Sequence, residues 1–105
     1  MTHSFTRETL QLIEEARLLR QEIGAVRSML AEVEEALRLL ERVGWERRFF
    51  MALAGLLIEV PPEEARKYLT ERKEVLEARL RALEVREREV RERLRGALKT
   101  VPSRP

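Results

Sequence analysis

Phe49-Phe50-Met51-Ala52-Leu53-Ala54-Gly55-Leu56-Leu57-Ile58-Glu59-Val60, followed at once by Pro61-Pro62-Glu63-Glu64, is the stretch that decides how this chain folds. It is apolar, aromatic at its start and broken at Gly55, and it falls well short of the ~20 apolar residues that span a bilayer. Two β-capable runs, Phe49–Leu53 and Leu56–Val60, flank Ala54-Gly55, a spacing that suits a two-residue hairpin turn. By numerical parity, Phe50 and Ala52 go with Leu56, Ile58 and Val60, while Phe49, Met51 and Leu53 go with Leu57 and Glu59. Both faces therefore read as mostly apolar. An isolated two-stranded hairpin is marginal in water and leaves both edges unpaired. Phe49, Phe50, Leu53, Leu56, Leu57, Ile58 and Val60 are accordingly expected to be oligomerisation residues, completed by hairpins of other chains. A competing reading, in which residues 47–58 continue the preceding helix, conflicts with Gly55, with the bulky run Leu56-Leu57-Ile58 and with the double proline.

On either side lie heptad-patterned arms. From Thr9, the series Leu12, Ala16, Leu19, Ile23, Val26, Leu30, Val33, Leu37 and Leu40 advances in alternating steps of three and four, the seam of a left-handed coiled coil. Leu10, Ile13, Leu18, Met29 and Leu39 widen that stripe. Gly24 weakens the helix locally and Gly44 supplies a stop. The second arm opens on Pro61 and Pro62, which suit the cap and first-turn positions, with Glu63 and Glu64 at the positive end of the helix dipole. Its seam runs through Leu69, Lys73, Leu76, Leu80, Leu83, Glu87, Val90, Leu94, Ala97 and Val101, with Lys73 and Glu87 as polar members. Residues 1–43 hold 6 Lys/Arg against 8 Glu, and residues 61–101 hold 12 against 9, so the arms carry opposite net charge. The connection between them is short, which predicts that they fold back antiparallel. The fold class expected is mainly α: an antiparallel two-helix coiled-coil hairpin with a short β-hairpin inserted between the long helices. One domain is expected over residues 1–105, with helix at about 6–43, the hairpin at 49–60 and helix at about 62–101.

Composition narrows the function classes. Charged residues make up 38% of 105 residues and apolar residues 44%, the profile of a long-helix protein rather than of a disordered tail. Cysteine is absent, which removes disulfides and thiolate metal sites and agrees with a reducing compartment. Met1-Thr2-His3-Ser4-Phe5-Thr6 lacks the basic and apolar regions of a signal peptide, so a cytoplasmic location and no membrane partner are expected. His3 is the only histidine, and no glycine-rich phosphate loop or Cys/His cluster is present. Glu14-Glu15 and Glu34-Glu35 are sequence neighbours and do not share a helix face. No catalytic residue, metal or cofactor is expected, and hence no enzyme. The basic series Arg86, Arg88, Arg91, Arg93, Arg95 and Lys99 is interleaved with Glu84, Glu87, Glu89 and Glu92, and only Trp45 and Tyr68 could stack on bases. Nucleic acid is therefore not the expected partner.

A helix, then Phe50-Met51-Ala52-Leu53-Ala54-Gly55-Leu56-Leu57-Ile58-Glu59-Val60, then Glu63-Glu64-Ala65 and a long charged helix through Leu76-Glu77-Ala78-Arg79-Leu80 resembles the β-class subunits of the prefoldin family. The resemblance is specific over about residues 49–84, and Ala54 departs from it by standing where the family commonly has Gly. It implies an ATP-independent chaperone whose hairpin joins a β-barrel platform with other subunits, homo- or hetero-oligomeric. It also implies that the coiled-coil tips hold unfolded clients for delivery to a chaperonin. On that footing Phe5, Leu10 and Ile13 on the first arm, with Leu94, Leu98 and Val101 on the second, are the client-binding candidates. The alternative for these residues is that they only close the coiled coil. The alternative for the whole chain is a structural or adaptor coiled coil that oligomerises through the same insert and binds one specific folded partner.

Overall fold

The computed structural model describes residues 5–43 and 47–99, so His3, Gly44, Trp45 and Val101 lie outside the described residues. Four elements follow in order: α1 (Arg7–Val43), β1 (Phe49–Leu53), β2 (Leu56–Val60) and α2 (Pro62–Lys99). The chain is mainly helical, with two long helices and a short antiparallel two-strand hairpin between them. It divides into two compact units, Met1–Val26 with Arg79–Pro105, and Arg27–Ala78.

In the first of these units, α1 opens on a local cap. The Thr6 carbonyl accepts the Leu10 N–H at 3.0 Å, and the Thr6 hydroxyl oxygen accepts the Thr9 N–H at 3.1 Å. Thr9 is buried in the seam, and its hydroxyl lies 2.9 Å from that of Thr6. This partnership offsets the cost of placing a hydroxyl among apolar side chains. Val26 and Val90 are fully buried and Ile23 nearly so. Leu12, Ala16, Leu19, Leu80, Leu83, Leu94 and Ala97 are half-buried along the same seam. Glu15 accepts from Arg86 at 2.7 Å and Glu22 pairs with Arg79. As the α1 partner advances from 15 to 22, the α2 partner retreats from 86 to 79, which is antiparallel pairing. The polar seam residue Glu87 is held by Arg91 one turn on. On the outer face of α1, the Arg17 guanidinium grips both oxygens of Glu14 and holds that carboxyl below its usual range.

The second unit closes the seam through Leu40, Ala65 and Leu76, all buried. Lys73, the other polar seam residue, lies 3.7 Å from Glu34, and Arg66 lies 3.8 Å from Glu41. α2 begins as its prolines require: the Pro61 carbonyl accepts the Ala65 N–H at 3.0 Å and Pro62 is the first helical residue. Between the strands, Ala54 and Gly55 both have positive φ, 49° and 80°, the backbone signature of a type I′ turn. Glycine adopts that conformation freely, whereas Ala54 adopts it against the clash of its own Cβ.

The strand register corrects the parity reading. Phe49 pairs with Val60, Phe50 with Glu59, Met51 with Ile58, Ala52 with Leu57 and Leu53 with Leu56. A two-residue turn inverts numerical parity between the strands, because directly opposed residues share a face. One face is thus entirely apolar (Phe49, Met51, Leu53, Leu56, Ile58 and Val60), and the other carries Phe50, Ala52, Leu57 and Glu59. The apolar residues beside the α1 seam are corrected as well. Leu10, Ile13, Leu18, Met29 and Leu39 are exposed in the single chain rather than part of a widened core.

Candidate functional site

Two surfaces collect the apolar side chains that the seam leaves uncovered. The first is the β-hairpin. At its base Phe49, Met51 and Val60 are half-buried and line an apolar groove of about 230 Å³ with Leu40, Ala65 and Leu69. Toward the turn the same face becomes exposed at Leu53, Leu56 and Ile58. The opposite face exposes Phe50 by 54% and Leu57 by 76%. Its one charge, Glu59, is paired with Arg48 at 3.1 Å. Helical packing therefore covers only the roots of the hairpin, while its outer half presents large apolar side chains on both faces and two unpaired strand edges. Of the expected oligomerisation set, Phe50, Leu53, Leu56, Leu57 and Ile58 are exposed, and Phe49 and Val60 face the groove.

Leu39 and Tyr68 also line this groove and are themselves exposed. The sequence reading missed both as neighbours of the hairpin. Each stands immediately before a seam residue, Leu40 and Leu69, and an apolar residue flanking the seam close to the insert is the signal that could have marked them.

The second surface belongs to the unit that contains both chain ends. Phe5, Leu10, Ile13 and Leu98 are exposed there, and Leu94 is half-buried in the seam. Phe5 precedes the Thr6 cap and so lies outside the helix. Val101 falls outside the described residues. Among the described residues no three or more His, Cys, Asp or Glu side chains gather where a metal ion could be held. Glu14 and Glu15 turn to different partners, Arg17 and Arg86. No described helix is long and apolar enough to cross a membrane.

A family model described as prefoldin subunit matches residues 6–101, which takes in both helices and the hairpin. The chain belongs to the prefoldin subunit family. Among curated prefoldin relatives it is 32% identical over 89 residues to prefoldin subunit beta of Archaeoglobus fulgidus, covering 78% of this chain and 77% of that one. Among solved structures it is similar to the prefoldin beta2 subunit from Thermococcus strain KS-1, with a TM-score of 0.78 and 25% identity. That match covers 85% of this chain and 95% of the other. The prefoldin beta subunit from the same strain matches with a TM-score of 0.75 at 22% identity, over 93% and 92% of the two chains, and shows the shared fold. Membership supports a prefoldin-type chaperone, and the prefoldin family is non-enzymatic.

Proposed function

We propose that this prefoldin subunit oligomerises through the outer half of its β-hairpin and holds unfolded proteins, without ATP, at the apolar residues near its chain ends. The observation that supports the reading most is the division of labour between its apolar surfaces. The seam closes each unit with buried side chains such as Val26, Leu76 and Val90, yet Phe50, Leu53, Leu56 and Leu57 on the hairpin stay open to solvent. Contiguous exposed apolar side chains of that size mark an interaction surface in a protein that persists in water. A hairpin with free edges is satisfied most directly by strands of other subunits. The relatives are β subunits, so a partner subunit of another class is the natural complement, with self-association as the other route to the same pairing.

Client holding is assigned to Phe5, Leu10, Ile13, Leu94, Leu98 and Val101. Exposed Leu and Ile side chains near helix ends adapt to many apolar sequences, which suits non-native chains better than one folded partner. A chaperonin is the receiving partner that this role implies, and the cytoplasm the compartment. Aggregation of a chemically denatured client, followed by light scattering with and without stoichiometric purified protein, tests the assignment. Suppression that weakens in a Phe5→Ser, Leu98→Ser variant of unchanged helicity is expected. No suppression by the unmodified protein, or recovery of one folded partner in place of denatured chains, would contradict it.

A further inference from the structure

We infer that the α2 segment beside the client-holding residues selects clients whose apolar stretches carry acidic side chains, through Arg81 and Arg88. The inference rests on the holding role proposed above and adds a substrate class to it. From Arg79 to Leu98, α2 carries seven Arg against four Glu, and three of those carboxylates are engaged by arginines. Glu87 holds Arg91, Glu89 lies 3.5 Å from Arg86, Glu92 accepts from Arg95 at 2.9 Å, and Glu84 is also partnered. On α1, Glu15 and Glu22 are taken up by Arg86 and Arg79. Arg81 and Arg88 are exposed and belong to none of these ion pairs.

These two arginines stand seven residues apart on one helix face, with the exposed Val85 and the half-buried Glu84 between them at three- and four-residue steps. Val85, Arg88, Arg91 and Arg95 line a shallow depression of about 420 Å³ on that face, together with Glu89 and Glu92. Seven helical residues rise ~10.5 Å, close to the ~9 Å that one three-residue turn of polyproline II covers. An unfolded client in that conformation, which repeats its side-chain direction every third residue, presents carboxylates three positions apart to both arginines. Guanidinium favours such carboxylates through charge-assisted, two-pronged hydrogen bonds. The same spacing repels a client with lysines at those positions.

Fluorescence anisotropy with three labelled, unstructured peptides tests this on the full chain: one built on repeats of Glu-Leu-Ser-Glu, one with every Glu changed to Gln, and one with every Glu changed to Lys. The acidic peptide is expected to bind roughly fivefold more tightly than the Gln peptide, the preference that two exposed ion pairs supply. That preference should vanish as ionic strength rises from about 0.05 M to about 0.3 M. It should also vanish in the Arg81→Gln, Arg88→Gln variant, whose exposed substitutions leave helicity unchanged, while binding of the Gln peptide persists. Equal binding of the acidic and Gln peptides overturns the inference and leaves client holding intact. Tighter binding of a single-stranded DNA than of the acidic peptide overturns it in favour of a nucleic-acid surface. Failure of all three peptides to bind removes the holding role and the inference with it.

Discussion

Leu57 stands directly across the hairpin from Ala52, and this pairing leaves it 76% exposed. A methyl group gives little lateral cover to an isobutyl side chain opposite it. The neighbouring cross-strand pair sets exposed Phe50 against Glu59, whose charge is turned to Arg48. The open apolar face thus follows from which residues the register opposes. Burying a Leu side chain contributes about 1.5–3 kcal/mol, so each uncovered residue on this face favours association with another surface.

The seam predicts a sharp contrast between adjacent residues of α2. Leu76 is 2% exposed and Val75 is 59% exposed. Leu76→Ala is expected to lower stability by about 3 kcal/mol through lost burial and the cavity left behind. Val75→Ala is expected to change it by less than about 0.5 kcal/mol, since it removes little buried surface and replaces a β-branched residue by the best helix former. Thermal or urea unfolding followed by circular dichroism at fixed protein concentration checks both. Similar costs at the two positions would mean that the seam lies elsewhere.

At the turn, Ala54 holds φ of 49° in a conformation that Gly adopts freely. Ala54→Gly relieves about 1 kcal/mol of left-handed strain, partly offset by about 0.5 kcal/mol of added freedom in the unfolded chain. A net gain of about 0.5 kcal/mol is expected, raising Tm by roughly 2–4 °C. Gly55→Ala, at φ of 80°, is expected to lower Tm. A loss of stability in Ala54→Gly would show that the turn does not hold this conformation in solution.

Much of this architecture was legible in the residues, for identifiable reasons. Alternating steps of three and four marked the buried side chains except Ala65, which lies one step before the seam read from Leu69, and even the polar members Thr9, Lys73 and Glu87 are accommodated by Thr6, Glu34 and Arg91. Two β-capable runs around Ala54-Gly55, closed by Pro61-Pro62, favoured a hairpin over the competing helical reading of residues 47–58, and the strands bear the hairpin out. What resisted reading depends on three-dimensional register. Numerical parity assigned Phe49 and Val60 to opposite faces, because directly opposed residues across a two-residue turn differ in parity. Leu39 and Tyr68 gained meaning only when the hairpin was seen to lie beside them. Which of two nearby arginines a carboxylate takes, as when Glu15 takes Arg86, depends on rotamers that composition does not reveal.

Gly24 offers a separate check on α1. A Cβ built there meets nothing within 4 Å, so the cost of glycine in the middle of a helix is not offset by any close approach. Gly24→Ala is expected to stabilise the protein by about 0.5–1 kcal/mol, seen as a higher unfolding midpoint in urea at constant m-value. A neutral or lower midpoint would indicate that the helix uses the glycine for a bend or a contact with another subunit.

The most direct test of the hairpin as an assembly element is the mass of the purified chain by light scattering at micromolar concentration, with and without Leu57→Glu. An assembly of several 12.4 kDa chains is predicted for the unmodified protein. A shift toward the single-chain mass with helicity preserved is predicted for the variant, because a carboxylate on the central open face would be buried without a partner. A monomeric unmodified protein, or a variant of unchanged mass, would contradict the account.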